Sequence, residues 1–326
     1  GAAQAGRDYH TVDISERTLR DVYLPPFKAA VDEGVATFMT SFNEYDGVPA
    51  SGSKFLLTDV LRDEWGFDGF VVTDYTSINE MVPHGYAKDL EQAGEQALNA
   101  GVDMDMQGAV FMENMVKSVE EGRVSQANID RAVRRVLEMK YRLGLFEDPY
   151  RYADEARQEA TLYKPEFLEA ARDVARKSMV LLKNDGNVLP LAADAERIAV
   201  IGPLGDSKTD MIGSWSAAGD RETRPVTVLE GMKAHAGNGV TVQYAKGASY
   251  EFGDEGKTDG FAEAVALATS SDVVVAVMGE KWDMTGEAAS RTSLDLPGNQ
   301  QALLEQLVAT GKPVVLVMMS GRPNSI

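Results

Sequence analysis

Gly66-Phe67-Asp68-Gly69-Phe70-Val71-Val72-Thr73-Asp74-Tyr75 holds a strand together with the residues that close it. The apolar run Phe70 to Val72 is entered through glycine and left through Thr73 and Asp74, the pattern of a short buried strand bounded by turn residues. Asp74 therefore stands at the carboxyl end of a strand, the edge at which parallel α/β folds gather ligand-binding and catalytic groups. Position alone favours a plainer reading, an N-cap or turn aspartate, and Asp74-Tyr75-Thr76-Ser77 has the composition for one.

The same rhythm continues on both sides. Apolar runs at 35–42 and 101–106 flank the segment, and amphipathic stretches at 54–64 and 90–100 separate them, so the order is βαβαβ and implies a parallel sheet or barrel. Each run ends in polar or special residues: Asn43 and Glu44, then Asp74, then Gln107 and Gly108. Helices are expected over 111–121 and 125–143, the second entered at Ser125 with Ile129, Ala132, Val133, Val136, Leu137 and Tyr141 at helical spacing. Residues 144–164, charged and carrying Pro149, lose this periodicity and read as an interdomain linker.

A second α/β rhythm fills 165–326. It has a helix at 165–177, strand-like runs at 179–183, 197–202, 240–244, 273–279 and 313–319, and helices at 261–269 and 299–310. Continuous runs of β-branched residues suit strands buried on both faces, so this domain reads as an α/β/α sandwich.

Composition excludes several function classes. The 326 residues are 44% hydrophobic and 25% charged, with a formal net charge of -19, a field that repels phosphate backbones and anionic headgroups. Neither nucleic acid nor a membrane surface is an expected partner. Without cysteine there are no disulfides, thiol nucleophiles or zinc–thiolate sites. His10, His84 and His235 are the only histidines and are not spaced as ligand pairs, so no metal is expected. Gly202-Pro203-Leu204-Gly205 matches neither the P-loop nor the dinucleotide fingerprint, and no cofactor is expected. No apolar run reaches the roughly 18 residues of a membrane span. The start, Gly1-Ala2-Ala3-Gln4, has neither an initiator Met nor a signal-peptide core, and the end follows directly on a strand-like run, so a piece of a longer protein is expected.

The segment Gly66 to Tyr75 resembles the nucleophile segment of glycoside hydrolase family 3, in which a Gly-Phe-x-Gly-x-Val-x-(Ser/Thr)-Asp run ends at the catalytic aspartate. Phe42-Asn43-Glu44-Tyr45-Asp46-Gly47-Val48-Pro49-Ala50 is similar to the preceding strand and loop, and residues 57–65 to the Leu-x-x-x-Leu-Arg-x-Glu-Trp helix. Tyr141-Arg142-Leu143-Gly144-Leu145-Phe146 and residues 178–190 are similar to the barrel exit and the opening of the second domain. Gly213-Ser214-Trp215-Ser216-Ala217-Ala218-Gly219 and Gly286-Glu287-Ala288-Ala289-Ser290-Arg291-Thr292 look like loops of the periplasmic β-glucosidase branch. The likeness covers essentially the whole chain, with its motifs in order.

This resemblance implies the C-terminal half of a (β/α)8 TIM-type barrel in residues 1–143, a linker in 144–164 and an α/β/α sandwich in 165–326, both domains incomplete. It implies retaining hydrolysis of terminal β-D-glucosyl residues of oligosaccharides; β-xylosidase activity and a non-catalytic carbohydrate-binding role are the alternatives. Asp74 is then the nucleophile. The family's acid/base is a glutamate of the second domain, and Glu287 matches the branch's His-Glu-Ala-Ser-Ser-Arg motif, with Gly286 in place of the histidine. Glu280, directly after the 273–279 run, and Glu80, shortly beyond Asp74, compete with it. A solvated loop carboxylate is the ordinary reading of all three. Retaining chemistry needs one ionised and one protonated carboxyl about 5–5.5 Å apart.

Tyr75 and Trp215 take the sugar platform by this resemblance, with Met39 and Phe42 nearby, although barrel core is the preferred reading of the last two. A histidine-based acid/base of the hexosaminidase type is disfavoured, because His84 shows no convincing Asp partner. The family's first half barrel supplies an aspartate, an arginine and a Lys-His pair that grip the sugar, and none has a counterpart here. A half barrel also leaves strand edges and an apolar interior uncovered, so the isolated chain is expected to be inactive. Location in the periplasm or outside the cell, and a homodimer as a candidate assembly, complete the expectations.

Overall fold

Strand Phe70–Val72 pairs in parallel with Thr37–Met39, Phe38 standing opposite Val71, and on its other side Val72 makes a parallel bridge to Met104. Three consecutive chain passages thus lie side by side in sequence order, as in a (β/α) barrel wall. The computed structural model describes residues 3, 4, 7, 9, 11–192, 195–216, 224–287 and 289–326, and it divides into two compact units, residues 1–172 and 173–326.

In the first unit the intervening chain is helical. A π-type helix Phe55–Glu64 leads to Phe70–Val72, and helix Leu90–Ala100 leads to Met104. Asp89 starts the latter by accepting from Gln92 N at 2.8 Å, and Gly101 ends it at φ +119, the usual pairing of an oxygen-bearing N-cap with a left-handed glycine terminator. Helices Val110–Glu120 and Gln126–Arg142 follow, the second capped by Ser125, which accepts from Asn128 N at 3.2 Å. Side chains alternate across a strand: Val71 is fully buried among Leu57, Leu61, Ile78, Met81, Ala93 and Ala97, whereas Met39 and Met104 remain 55% and 45% exposed.

A buried ion cluster ties the strand edge to two helices. Asp103 accepts from Arg62 Nη2 at 2.6 Å, from Arg135 Nη1 at 2.9 Å and from Val71 N at 2.9 Å. Burial pulls the Arg62 guanidinium down to about 10, with Asp103 opposing the drop.

The second unit carries a four-stranded parallel sheet in the order Thr241–Ala245, Arg197–Ile201, Val273–Gly279, Val314–Met319. Val273–Gly279 is buried along its whole length. Val273, Val275 and Val277 face Leu204 and Leu229, and Val274, Ala276 and Met278 face Phe261, Leu303 and Leu307. Helix Val228–His235 covers one face, and Phe261–Thr269 with Gln300–Ala309 covers the other. The chain leaves Arg197–Ile201 towards one edge and then returns to build the other, which makes the carboxyl ends of Arg197–Ile201 and Val273–Gly279 a topological switch point. Gly279 is forced there: a β-carbon on it would lie 2.0 Å from Met319 O.

Several expected elements differ from what forms. The 35–42 run contracts to Thr37–Met39, and 101–106 to the single bridge at Met104. No strand forms at 179–183: Met179, Val180, Leu181 and Leu182 are 66–80% exposed, because an apolar run becomes a strand only beside a backbone edge that can pair with it. Helix Pro165–Ser178 buries no residue and crosses the division between the units, and residues 144–164 include an exposed helix, Glu155–Thr161.

Candidate active site

Asp74 is held at the carboxyl edge of the first unit by loop-to-loop hydrogen bonds. Thr73 N donates to Met104 O at 3.0 Å, Met106 N to Thr73 Oγ1 at 2.9 Å, and Thr76 N to Met106 O at 3.0 Å. Beneath the loop runs a buried chain of hydroxyls, Thr40 to Ser51 at 2.7 Å and Ser51 to Ser77 at 2.5 Å. The Asp74 Oδ1 accepts from Tyr75 N at 2.7 Å. An N-cap or Asx turn would instead bind the amide two or three residues on. Helix Ser77–Glu80 has Thr76 at its cap, with no side-chain cap bond, so the half-buried Asp74 carboxylate is not spent on starting a helix.

Tyr75 stands beside it, 56% exposed. Phe42 is buried edge-on against Tyr9, with ring centroids 4.4 Å apart, a core position. Met39, at the end of its strand, is 55% exposed. Glu80 lies half-buried on Ser77–Glu80 with its Oε2 3.9 Å from His84 Nε2, and His84 Nδ1 is 3.2 Å from Glu44 Oε1. Of the histidine's two carboxylate neighbours, Glu80 lies four residues earlier on its own segment and Glu44 is brought by the fold from a different loop.

In the second unit Glu287 is exposed on a turn that follows the switch point. Its neighbour Gly286 has φ +102, and a β-carbon there would stand 2.3 Å from Ser214 Oγ and 3.5 Å from Trp215 Nε1. That contact sets the Glu287 turn directly against the loop of Trp215, whose ring is 70% exposed. Asp210 fastens the two loops a second time by accepting from Trp282 N at 2.6 Å. Ala217, Ala218, Gly219 and Ala288 of these motifs, and His10, lie outside the described residues.

Glu280 is built differently. Its side chain is fully buried; Oε1 accepts from Arg291 Nη1, and Oε2 accepts from Arg322 Nε and Ser320 Oγ, each at 3.1 Å. Both oxygens are filled by donors and neither reaches solvent, the arrangement of an anchor. Sequence spacing gave no sign of this partnership, because Arg322 comes from the far side of the next strand.

Among the described residues no group of three or more His, Cys, Asp or Glu is placed to hold a metal, and no helix is long and apolar enough to cross a membrane. A groove of about 920 Å³ in the first unit is lined mainly by apolar side chains such as Met112, Met115, Val116, Ile129 and Val133, and Asp74 is not among its walls.

Comparison with known proteins places the chain in a family. The chain matches the model of the glycosyl hydrolase family 3 N terminal domain over residues 1–139 and that of the C-terminal domain over residues 179–326. It is 43% identical to a periplasmic beta-glucosidase of Salmonella typhimurium over 100% of this chain and 45% of the relative. A beta-xylosidase of Formosa agariphila is 39% identical over 96% of this chain and 44% of its own length. The beta-glucosidase from Listeria innocua, solved with isofagomine, is similar at a TM-score of 0.89 and 36% identity, over 99% of this chain and 44% of that one; structures of that enzyme with glucose and of a variant with laminaribiose also match. The chain thus spans less than half the length of these relatives. Both family domains occur here in order, on a fold shared with the family's solved β-glucosidases, and the chain belongs to glycosyl hydrolase family 3.

Proposed function

We propose that this chain carries the nucleophile and the acid/base of a retaining β-glycosidase that removes terminal non-reducing β-D-glucosyl residues, Asp74 attacking and Glu287 handling the proton. The observation that carries the reading is the Asp74 carboxylate, which sits at the carboxyl edge of its strand and is engaged by the adjacent amide rather than by a helix start. In the first step Asp74 forms a bond to the anomeric carbon while Glu287 protonates the departing oxygen. In the second, Glu287 takes a proton from water, which attacks the same carbon and frees Asp74. The exposed rings of Tyr75 and Trp215 offer flat apolar faces for a pyranose.

The domain reading goes with this function: barrel residues 1–143, a connecting stretch 144–164 and a sandwich from 165 onward. A periplasmic setting is supported by the name of the Salmonella relative. A β-xylosidase is the second reading, favoured by the Formosa relative.

The test is covalent labelling. The protein, taken at the length of its family relatives, is incubated with an activated 2-deoxy-2-fluoro-β-glucoside and then peptide-mapped. A one-sugar adduct on the peptide containing Asp74 is expected. An adduct elsewhere, or none in folded protein that binds glucose, overturns the assignment.

A further inference from the structure

A carboxylate with no exposed side-chain surface is costly unless it is paired and hydrogen-bonded, and Glu280 meets that demand with two guanidinium groups. Those groups also reach further. Arg322 Nη2 donates to Met284 O at 2.6 Å and to Ala289 O at 3.3 Å, and Arg291 Nη2 donates to Asp295 O at 2.9 Å. Met284 and Ala289 bracket Glu287. Among the described residues between the short turn Trp282–Met284 and helix Gln300–Ala309 no helix or strand forms, so these donors give the stretch a fixed scaffold.

The root of the scaffold is rigid. Glu280 N donates to Met319 O at 2.9 Å, and the buried Gln300 binds both backbone groups of Gly279. The path therefore runs from the end of a fully buried strand, through Glu280, into Arg322 and on to the carbonyls on either side of Glu287, while Arg291 ties the far end of the stretch to Asp295 O.

We infer that Glu280 is a positioning residue for Glu287: it fixes Arg291 and Arg322, and through them the turn that presents the proton-transferring carboxyl. This rests on the reading of Glu287 as the acid/base. Glu280 itself exchanges no proton with substrate, since donors fill both of its oxygens.

The experiment compares Glu287→Ala, Glu280→Gln and Arg322→Gln in the protein at the length of its relatives, on aryl β-glucosides with good and poor leaving groups, with and without azide. A leaving group that departs unaided needs no acid. In kcat/KM, which reports the first step, Glu287→Ala is expected to lose about 10²- to 10⁴-fold with the poor leaving group and little with the good one, while its kcat on the good one, limited by the unassisted second step, is restored by azide. Glu280→Gln and Arg322→Gln are expected to show the same selectivity at about 10- to 100-fold, without azide rescue, because the Glu287 carboxyl still occupies the site. An equal loss with both leaving groups makes the role merely structural and overturns the inference, and azide rescue of Glu280→Gln makes Glu280 the acid/base and overturns it as well. If Glu287→Ala itself shows no leaving-group dependence, it is the underlying assignment that fails. Amide exchange in the 326-residue chain supplies a readout without turnover: both anchor variants should speed exchange at 284–291 and leave 273–279 protected, and unchanged exchange at 284–291 overturns the inference even for a variant too unstable to assay.

Discussion

Gly286 packs so closely on Ser214 that a β-carbon would stand 2.3 Å from the serine Oγ and 2.7 Å from its Cβ. The glycine is also in a left-handed conformation at φ +102, which costs other residues about 1–3 kcal/mol. Gly286→Ala should therefore push the Glu287 turn away from the Trp215 loop. In the protein at the length of its relatives we expect the fold to hold and kcat/KM to fall by roughly 10-fold or more. Ser214→Gly added to that variant should recover part of the loss, because the clash disappears and the backbone strain does not. The kinetic double-mutant cycle decides it, and an absence of coupling would show that the close approach has no bearing on turnover.

Asp103 joins Arg62 and Arg135 with almost no exposed side-chain surface of its own. Removing one partner of a buried ion pair typically costs about 3–5 kcal/mol, since the remaining charge is left uncompensated. Asp103→Ala strands two guanidinium groups and the Val71 amide together. Urea unfolding of the first unit, followed at Trp65, should show a loss of about 3 kcal/mol or more; a change under about 1 kcal/mol would mean that water replaces the carboxylate freely.

The strand Val273–Gly279 was legible in the sequence because its β-branched run is buried on both faces, and helix Leu90–Ala100 because Asp89 and Gly101 mark its ends. Met179 to Leu182 has the same apolar character and forms no strand, since hydrophobicity specifies burial but not a pairing partner. The site divides in the same way. Asp74 stood out as a carboxylate that follows a strand, but its reading as a nucleophile, like the reading of Glu287 as acid/base, came only through the family resemblance. The anchoring of Glu280 by Arg291 and Arg322, and the place of Asp103 between two helices, join residues far apart in the chain with no local signature. Met39 is 55% exposed, because strand alternation says which residues share a face, not whether that face is covered.

Tyr244 donates its hydroxyl to Gly202 O at 3.2 Å, and burial, aided by the charge of Asp206, pushes its phenol up to about 12. An acid whose folded pKa is raised stabilises the fold fully below its unfolded value near 10; between about 10 and 12 the unfolded chain releases the proton and the folded one keeps it, so stability falls. The ring is half-buried, and after discounting for solvent screening the contribution is about 1–2 kcal/mol. Tyr244→Phe should accordingly show a shallower loss of stability than the parent between about pH 10 and 12. Parallel curves across that window would contradict it.

Gln300 is fully buried, with Nε2 donating to Gly279 O and Pro297 O at 2.8 Å and Oε1 accepting from Gly279 N at 2.9 Å. Gln300→Leu keeps the volume and leaves three backbone groups without partners, each worth about 1–3 kcal/mol when buried, so a loss of at least about 3 kcal/mol is expected. Gln300→Glu separates the hydrogen bonds from the packing. Its ionised form lacks the donor for both carbonyls and places a second carboxylate near Glu280, so burial and like charge raise its folded pKa above the usual value near 4.3. The protonated form can still donate once. Stability of this variant relative to the parent should therefore be highest below about pH 4 and fall as pH rises through the raised folded pKa, the sign for a carboxyl that prefers its proton in the folded state. Thermal melts of parent and variant from about pH 4 to 8 measure the difference, and a pH-independent gap would show that the introduced carboxylate leaves the clamp and turns to solvent.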